Sequence, residues 1–370
     1  MRTQLSDELG LEFPIFAFSH CRDVVAAVSR AGGMGVLGAL YFTPDELEME
    51  LKWIDDHIDG KPYGVDVVMP ASYEGGDLGD ARSLEAQLEE VIPQEHRDFV
   101  EHTLDHFGVA PLPPELETPH HLLGWTDSTA RPQVDISLDH PISLLVNALG
   151  PPPKDVVDLA HEHGIKVAAL ASTAHHARKH VDVGVDIVVA QGTEAGGHTG
   201  EVSSVVLWPE VIDAVAPTPV LAAGGIGRGS QIAAGLAMGA QGAWTGSIWL
   251  TTAESDVQPQ LIENLLEASS RDTVRSRAMT GKPARQLRTA WTDAWEGPDS
   301  PGTLPMPLQF MLTAEAQQRI WRSGNKELMG FPVGQIVGTM NKVKPVRDVM
   351  FELVEEYVEA TERLNRVTEA

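Results

Sequence analysis

Eight short β-rich runs separated by helix-period stretches constrain what this chain can become more than any other feature. The runs are Pro14–Ser19, Met34–Leu40, Tyr63–Met69, Ile142–Leu149, Lys166–Ser172, Asp186–Gln191, Pro219–Ala223 and Ala243–Leu250. Most are continuous apolar runs with little alternation, the pattern of strands covered on both faces. Between them the spacing becomes helical, as in Asp23–Ala31, Pro44–Ile58, Lys154–His163, Ala174–Val181 and Ser230–Met238. Thr43 and Pro44 mark a helix start; Gly32 and Gly239 stand just past helix ends. Such alternation predicts an α/β fold, a closed parallel (β/α)8 barrel over residues 1–253. Strand count leaves an open doubly wound sheet as the alternative.

Two segments break the rhythm. Residues 71–140 are too long for one crossover, and they carry charged helical patterns (Ser83–Val91, Gln94–Phe107) and the run Pro111-Leu112-Pro113-Pro114. They read as a lid-like insertion after the third strand. Residues 254–333, with a Gly/Pro-rich loop around Gly297–Pro307, read as a small helical subdomain on the substrate side. In residues 334–370 the amphipathic stretch Val346–Leu364 should pack back on the barrel.

Charge narrows the partners. The chain has 370 residues with 53 acidic against 27 basic, a net charge of −26. Nucleic acid and anionic membranes recruit basic patches, so neither is expected, and a small-molecule substrate is. The lone Cys21 excludes an internal disulfide framework and fits a reducing compartment. No apolar stretch approaches about 18 residues, and the N-terminus lacks the apolar run of a signal peptide, so a cytoplasmic protein is expected. A homo-oligomer is compatible with all of this.

The chemistry collects after the last three strands, where a barrel carries its active face. Gln191 to Glu201 reads Gln-Gly-Thr-Glu-Ala-Gly-Gly-His-Thr-Gly-Glu, followed downstream by Ala223-Gly224-Gly225-Ile226-Gly227 and Thr245-Gly246-Ser247. Glycines let backbone N–H groups approach an anion, and the helix opening at Ser230 is placed to help. Any one glycine pair is more simply a tight turn. Three such loops at successive strand ends, one carrying His198, favour a phosphate-bearing cofactor.

The run Ala190–Gly200 with Ala222–Ile226, then Gly239-Ala240 leading to Thr245-Gly246-Ser247, resembles the nitronate monooxygenase (2-nitropropane dioxygenase-like) family. Pro14-Ile15, Ala26–Gly35, Lys61–Val65, Thr280–Arg285 and Pro332–Gly338 support the resemblance, which also takes in FMN-dependent enoyl-thioester reductases. It implies an FMN-dependent TIM barrel. Gly224, Gly225, Gly246 and Ser247 would hold the FMN phosphate, with Gln191 and Gly192 beside the ring system and Gly196 and Gly197 completing the loop. His198 would face the substrate as the catalytic residue. The implied reaction is oxidation of alkyl nitronates with O2 to carbonyl compounds and nitrite; the alternative is reduction or dehydrogenation of an enoyl or cyclic acyl-thioester with NAD(P)H. This chain departs from the family pattern at two flavin- or substrate-facing places. Ala17-Phe18-Ser19 stands for Ala-Pro-Met, and Asp66 stands for Asn.

Other residues read more plainly. His20 and Cys21 resemble a thiol–imidazole pair but lack an orienting group and an oxyanion site. His102/His106 and His176/His180 lie four apart without a third ligand, so they read as solvated helix faces and no metal is expected. Trp291, Trp295, Phe310 and Trp321 read as subdomain core, with a substrate wall as the alternative.

Overall fold

The computed structural model of the protein describes residues 1–69, 87–113, 116 and 127–368. Nine strands belong to the first two thirds of the chain: β1 (Ile15–Ser19), β2 (Met34–Gly38), β3 (Tyr63–Asp66), β4 (Leu144–Asn147), β5 (Lys166–Ala171), β6 (Ile187–Gln191), β7 (Gly197–His198), β8 (Val220–Ala223) and β9 (Gly242–Thr245). All but β7 form a closed barrel in the order β1-β2-β3-β4-β5-β6-β8-β9, parallel throughout. The (β/α)8 expectation is met. Several runs are trimmed at their ends, Tyr63–Met69 to Tyr63–Asp66 and Ile142–Leu149 to Leu144–Asn147. The last differs most: β9 starts one residue early, and after Gly246 the chain turns into a 3-10 helix, Ser247–Trp249. Trp249 Nε1 donates to Thr245 Oγ1 at 3.0 Å and holds that turn.

The apolar runs are buried on both faces, as period-free strands must be. Phe16, Met34, Val36, Leu144, Val189 and Leu221 fill the barrel interior, and Leu5 and Leu11 belong to the same cluster. Their neighbours along each strand pack outward on helices. The helix Pro44–His57 begins where Thr43 and Glu46 exchange side-chain and backbone hydrogen bonds, with proline at its first position. The helix Val346–Thr368 docks on Gly229–Ala237 so closely that a Cβ at Gly229 would stand 1.9 Å from the Leu353 carbonyl oxygen. Among the described residues no helix is long and apolar enough to cross a membrane.

Of the insertion, two helices are described. Asp127–Asp139 precedes β4 and lies on Pro44–His57; Gln133 Nε2 donates to the Ala39 and Phe42 carbonyls at 3.0 and 2.8 Å. Gln94–His106 packs on the helix Leu308–Ser323. There Arg319, 3% exposed, bonds Glu101 at 2.7 Å and the carbonyls of Val109 and Ala110 at 3.2 and 3.1 Å. Much of the expected lid lies outside the described residues.

Residues 254–333 hold helices but also two strands, β10 (Thr273–Ser276) and β11 (Ala284–Leu287). These pair antiparallel, and β11 pairs in turn with β7, giving a three-stranded sheet in the order β10-β11-β7. A purely helical reading missed it because its third strand comes from the loop after β6. Trp291 and Trp295 are buried together in this segment, ring centroids 6.0 Å apart. His180 is not on a solvated face: it is buried, and its Nε2 bonds the Leu170 carbonyl at 2.9 Å.

A polar cluster ties the end of the insertion to the barrel. His140 Nδ1 lies 2.6 Å from Asp55 and Nε2 lies 3.1 Å from Glu48, while Tyr63 donates to Asp55 at 2.7 Å. Burial opposes the imidazolium, but the hydrogen bonds to Asp55 and Glu48 outweigh it and raise the His140 pKa. A raised histidine pKa means stability that is full below the unfolded value of about 6.5 and is lost as pH climbs through the folded value. His140→Gln should therefore lower stability by roughly 1–2 kcal/mol at pH 6, allowing for screening at the half-exposed Glu48. Melting curves of both proteins at pH 6 and pH 9 should show the gap narrowing at the higher pH.

Candidate active site at the mouth of the barrel

The C-terminal ends of the strands surround a cavity of about 1900 Å³, solvent at its mouth included. Phe18, Asp66, Gln191, Gly196, Gly197, His198, Gly224, Gly225, Gly246 and Ser247 all line it. Two expected residues do not. Ala17 is fully buried in the barrel wall between Gly35 and Thr245. Gly192 donates its N–H to the Ala223 carbonyl at 3.1 Å, and a Cβ there would stand 2.1 Å from Ser204 Oγ. Its glycine serves close packing of the loop on the helix Ser204–Val215, behind the cavity. None of the described residues of 71–140 lines the cavity.

The turn after β8 is built around backbone groups. Gly224 and Gly225 have φ of 97° and 69°, a conformation that side chains disfavour. Gln231 holds the far side of this turn: its Oε1 accepts from the Gly227 and Arg228 N–H groups at 2.8 and 3.0 Å, and its Nε2 donates to the Gly225 carbonyl at 2.5 Å. Glu194 caps the next helix, accepting from the Ser204 N–H at 3.0 Å. The N–H groups of Gly224, Gly225, Gly246 and Ser247 are left without a protein acceptor among the described residues. A Cβ at Gly246 would meet nothing within 4 Å. Unengaged donors of this kind at the ends of β8 and β9 can cradle an anion. The helix beyond it is not part of the cradle. That helix starts at Gly229, whose N–H donates to Glu356 at 2.9 Å, so a protein carboxylate occupies the place expected to assist a phosphate.

His198 owes its position to a β-bridge with Ala284. Arg285, next in β11, donates from Nε to the Thr193 carbonyl at 2.8 Å and pins the same loop. Gly196 allows the segment after β11 to cross closely, since a Cβ there would lie 2.9 Å from the Gly334 nitrogen. Gly334 in turn donates to Ser247 Oγ at 2.8 Å, joining two of the cavity loops. The His198 ring has Nδ1 3.4 Å from the Pro283 carbonyl. A carbonyl only accepts, so Nδ1 carries the proton and Nε2 keeps its lone pair. Burial lowers the His198 pKa; the Pro283 carbonyl opposes this and nearby Lys282 adds to it. The imidazole is therefore neutral at physiological pH.

Two features of the cavity differ from their leading reading in the sequence. His20 lines the cavity with Nδ1 bonded to the Gly38 carbonyl at 2.8 Å, its ring 5.1 Å from Phe18 and 4.8 Å from Tyr41. It makes no pair with Cys21, whose Sγ donates to the Glu254 carbonyl at 3.3 Å. Met279, Thr280, Phe310 and Phe331 form the outer wall, so Phe310 belongs to the cavity while Trp291 and Trp295 stay in the core. For Phe310 the substrate-wall alternative holds, and Thr280 stood in a run that supports the family resemblance; Met279 and Phe331 had no signal beyond a segment placed on the substrate side.

Known proteins resemble this chain along nearly its whole length. The sequence profile of the nitronate monooxygenase family matches residues 2–356. A Mycobacterium tuberculosis protein named as a monooxygenase, Rv1533, is 52% identical over 371 aligned positions, 98% of each chain. Among solved structures, the nitroalkane oxidase from Streptomyces ansochromogenes superposes with a TM-score of 0.81 at 30% identity, covering 97% of this chain and 99% of its own. FabK from Thermotoga maritima superposes with a TM-score of 0.74 at 28% identity over 99% of both chains.

Two alanine substitutions separate architecture from binding. Gly224→Ala forces a Cβ to within 2.6 Å of Ser204 Oγ at a positive φ, and it should destabilise the fold by about 1–3 kcal/mol. Gly246→Ala meets open space at φ −136° and should keep stability within about 0.5 kcal/mol, yet weaken binding at the cradle. Thermal melts, together with titration of the cradle by inorganic phosphate, read the two effects.

Proposed function

This chain belongs to the nitronate monooxygenase family of oxidoreductases, and from that premise we propose that it binds FMN and oxidises alkyl nitronates with O2 to carbonyl compounds and nitrite. The observation that carries the reading is the single cradle of unengaged N–H groups at Gly224-Gly225 and Gly246-Ser247, opening on a cavity that His198 also lines. One cradle suits one phosphate. The first strand is followed by His20-Cys21-Arg22 with no Gly-x-Gly-x-x-Gly run, which argues for a mononucleotide over a dinucleotide.

Bound there, FMN would supply the electron transfer and the reaction with O2. The chain's own residues do the rest. Gln191 pairs with Ala223 next to the cradle, and Phe310 and Phe331 add apolar rings to the cavity lining. His198 Nε2, unprotonated, takes the α-proton of a neutral nitroalkane; with a nitronate already formed, it has no proton to take.

A second reading keeps the cofactor and changes the substrate to an enoyl or cyclic acyl-thioester, with NAD(P)H as partner. The apolar outer wall, from Leu149 and Leu170 to Met279 and Phe310, favours it. Anaerobic mixing with propionate 3-nitronate, NADH and NADPH in turn decides between the two. Flavin bleaching by the nitronate supports the first reading; bleaching by a nicotinamide alone supports the second.

The purified protein should release FMN on denaturation, and chromatography that finds FAD instead contradicts the cradle assignment. His198→Asn should retain FMN and lose about 10²–10⁴-fold in rate on neutral nitroalkanes while changing little on nitronates. Because the His198 pKa lies below its ordinary value, the parent enzyme's nitroalkane rate at saturating FMN should be flat around pH 7. It should fall only as acid protonates Nε2, which a pH profile of kcat/KM checks.

A further inference from the structure

Among the described residues that line the cavity, Asp66 alone has a buried side-chain oxygen without a hydrogen-bond partner. Asp66 ends β3 between Gly38 of β2 and Val146 of β4, and its side chain is 3% exposed. Its main-chain carbonyl is satisfied by the Ala39 N–H at 2.9 Å. The carboxyl is not: the Ala148 N–H faces it, and Oδ1 has no hydrogen-bond partner. Gly38 and Val146, its neighbours across the ladder, bring no charge. The other titratable groups lining the cavity are His20, Cys21, Tyr41, His198 and Asp256, and none exerts a charge effect on it. Buried polar atoms in native folds are paired almost without exception, so an orphan on a cavity wall marks where a ligand completes the structure.

We infer that Asp66 donates a hydrogen bond to an acceptor atom of the cofactor bound in this cavity, and that loss of its proton weakens that binding. An ionised carboxylate can only accept, and burying it beside one N–H and no cation is costly. The neutral acid instead offers an O–H, which requires an acceptor opposite. A flavin ring edge carries carbonyl and ring-nitrogen acceptors, so the assignment rests on the FMN reading above and adds a pH control to it. Burial pushes the Asp66 pKa up to about 7, which places the change within the physiological range. Asn at this position donates at every pH. The difference between acid and amide is therefore a difference in regulation, with the site loading best below neutrality.

The test is FMN binding to the apoprotein, followed by fluorescence quenching from pH 6 to pH 9, in the parent and in Asp66→Asn. Ionisation of the FMN phosphate is common to both titrations, so the ratio of their Kd values isolates Asp66. That ratio should rise by up to about tenfold per pH unit above neutrality. Melting of the two apoproteins gives a flavin-independent reading. A carboxyl whose folded pKa is raised costs stability above its unfolded value of about 4, so Asp66→Asn should melt higher at pH 8 and converge with the parent near pH 4. Parallel Kd profiles in the two proteins overturn the inference and leave the FMN reading intact. A pH effect on nitronate KM with none on FMN Kd also overturns it, by placing the donor against substrate. Failure of both proteins to bind FMN at any pH overturns the inference together with the reading beneath it.

Discussion

Parallel pairing of β1 with β9, which sets Ile15 opposite Ala243 and Ala17 opposite Thr245, closes the sheet on itself. In an open sheet these two strands would be edges far apart. Closure instead puts Phe18 and Ser19 beside Gly246 and Ser247, with Phe18 and Trp244 ring centroids 6.3 Å apart. Thr245 Oγ1 donates to the Phe16 carbonyl at 2.9 Å and reinforces the seam. Because every strand runs the same way, all their C-terminal ends surround one space, and the loops of β6, β8 and β9 become neighbours there. The anion cradle depends on that adjacency: Gly224-Gly225 and Gly246-Ser247 converge only when β8 and β9 lie side by side.

Within this frame the polar groups divide into two sets. One set holds the backbone in place and is itself satisfied. Gln231 braces the turn after β8, Glu194 caps Ser204, Arg285 pins Thr193, and Glu356 closes the start of the helix Gly229–Ala237. The other set faces the cavity and lacks partners: four backbone N–H groups at the glycine turns and one oxygen of Asp66. Folded interiors satisfy their polar groups because each unpaired one costs about 1–3 kcal/mol. Buried side-chain atoms without a partner occur elsewhere too, at Gln133, Trp291 and Trp295 among others, but Asp66 alone has one on the cavity wall, and the same cavity holds a neutral imidazole with a free lone pair.

The strands and their order of appearance were legible because a buried parallel strand is a short apolar run, a local signal. Helix starts such as Thr43-Pro44 were legible for the same reason, since a cap is satisfied within four residues. The glycine turns and His198 stood out by composition at strand ends. Illegible features share a different character. Gly192 reads as a cofactor glycine but packs on Ser204; Ala17 reads as a loop contact but is wall; the helix at Gly229 reads as a phosphate site but is capped by Glu356, more than a hundred residues away. His180, on a polar helix, is buried by a hydrogen bond to Leu170 that no period announces.

By itself, then, the sequence determined eight alternating strand–helix units, the strand ends where chemistry belongs, and the residue types available there, since periodicity and turn propensity act over a few residues; closure of the sheet rested on the pairing of β1 with β9. Tertiary structure alone decided which of those residues reach the cavity. The β10-β11-β7 sheet sets His198 in place through Ala284, and no local pattern in Gly197-His198 predicts a partner that distant. It decided the tautomer of His198 through Pro283, and it decided the state of Asp66 by surrounding a carboxyl with one N–H and no cation. Proton affinity depends on what stands within a few ångströms in space, and that is settled only once distant segments of the chain have met.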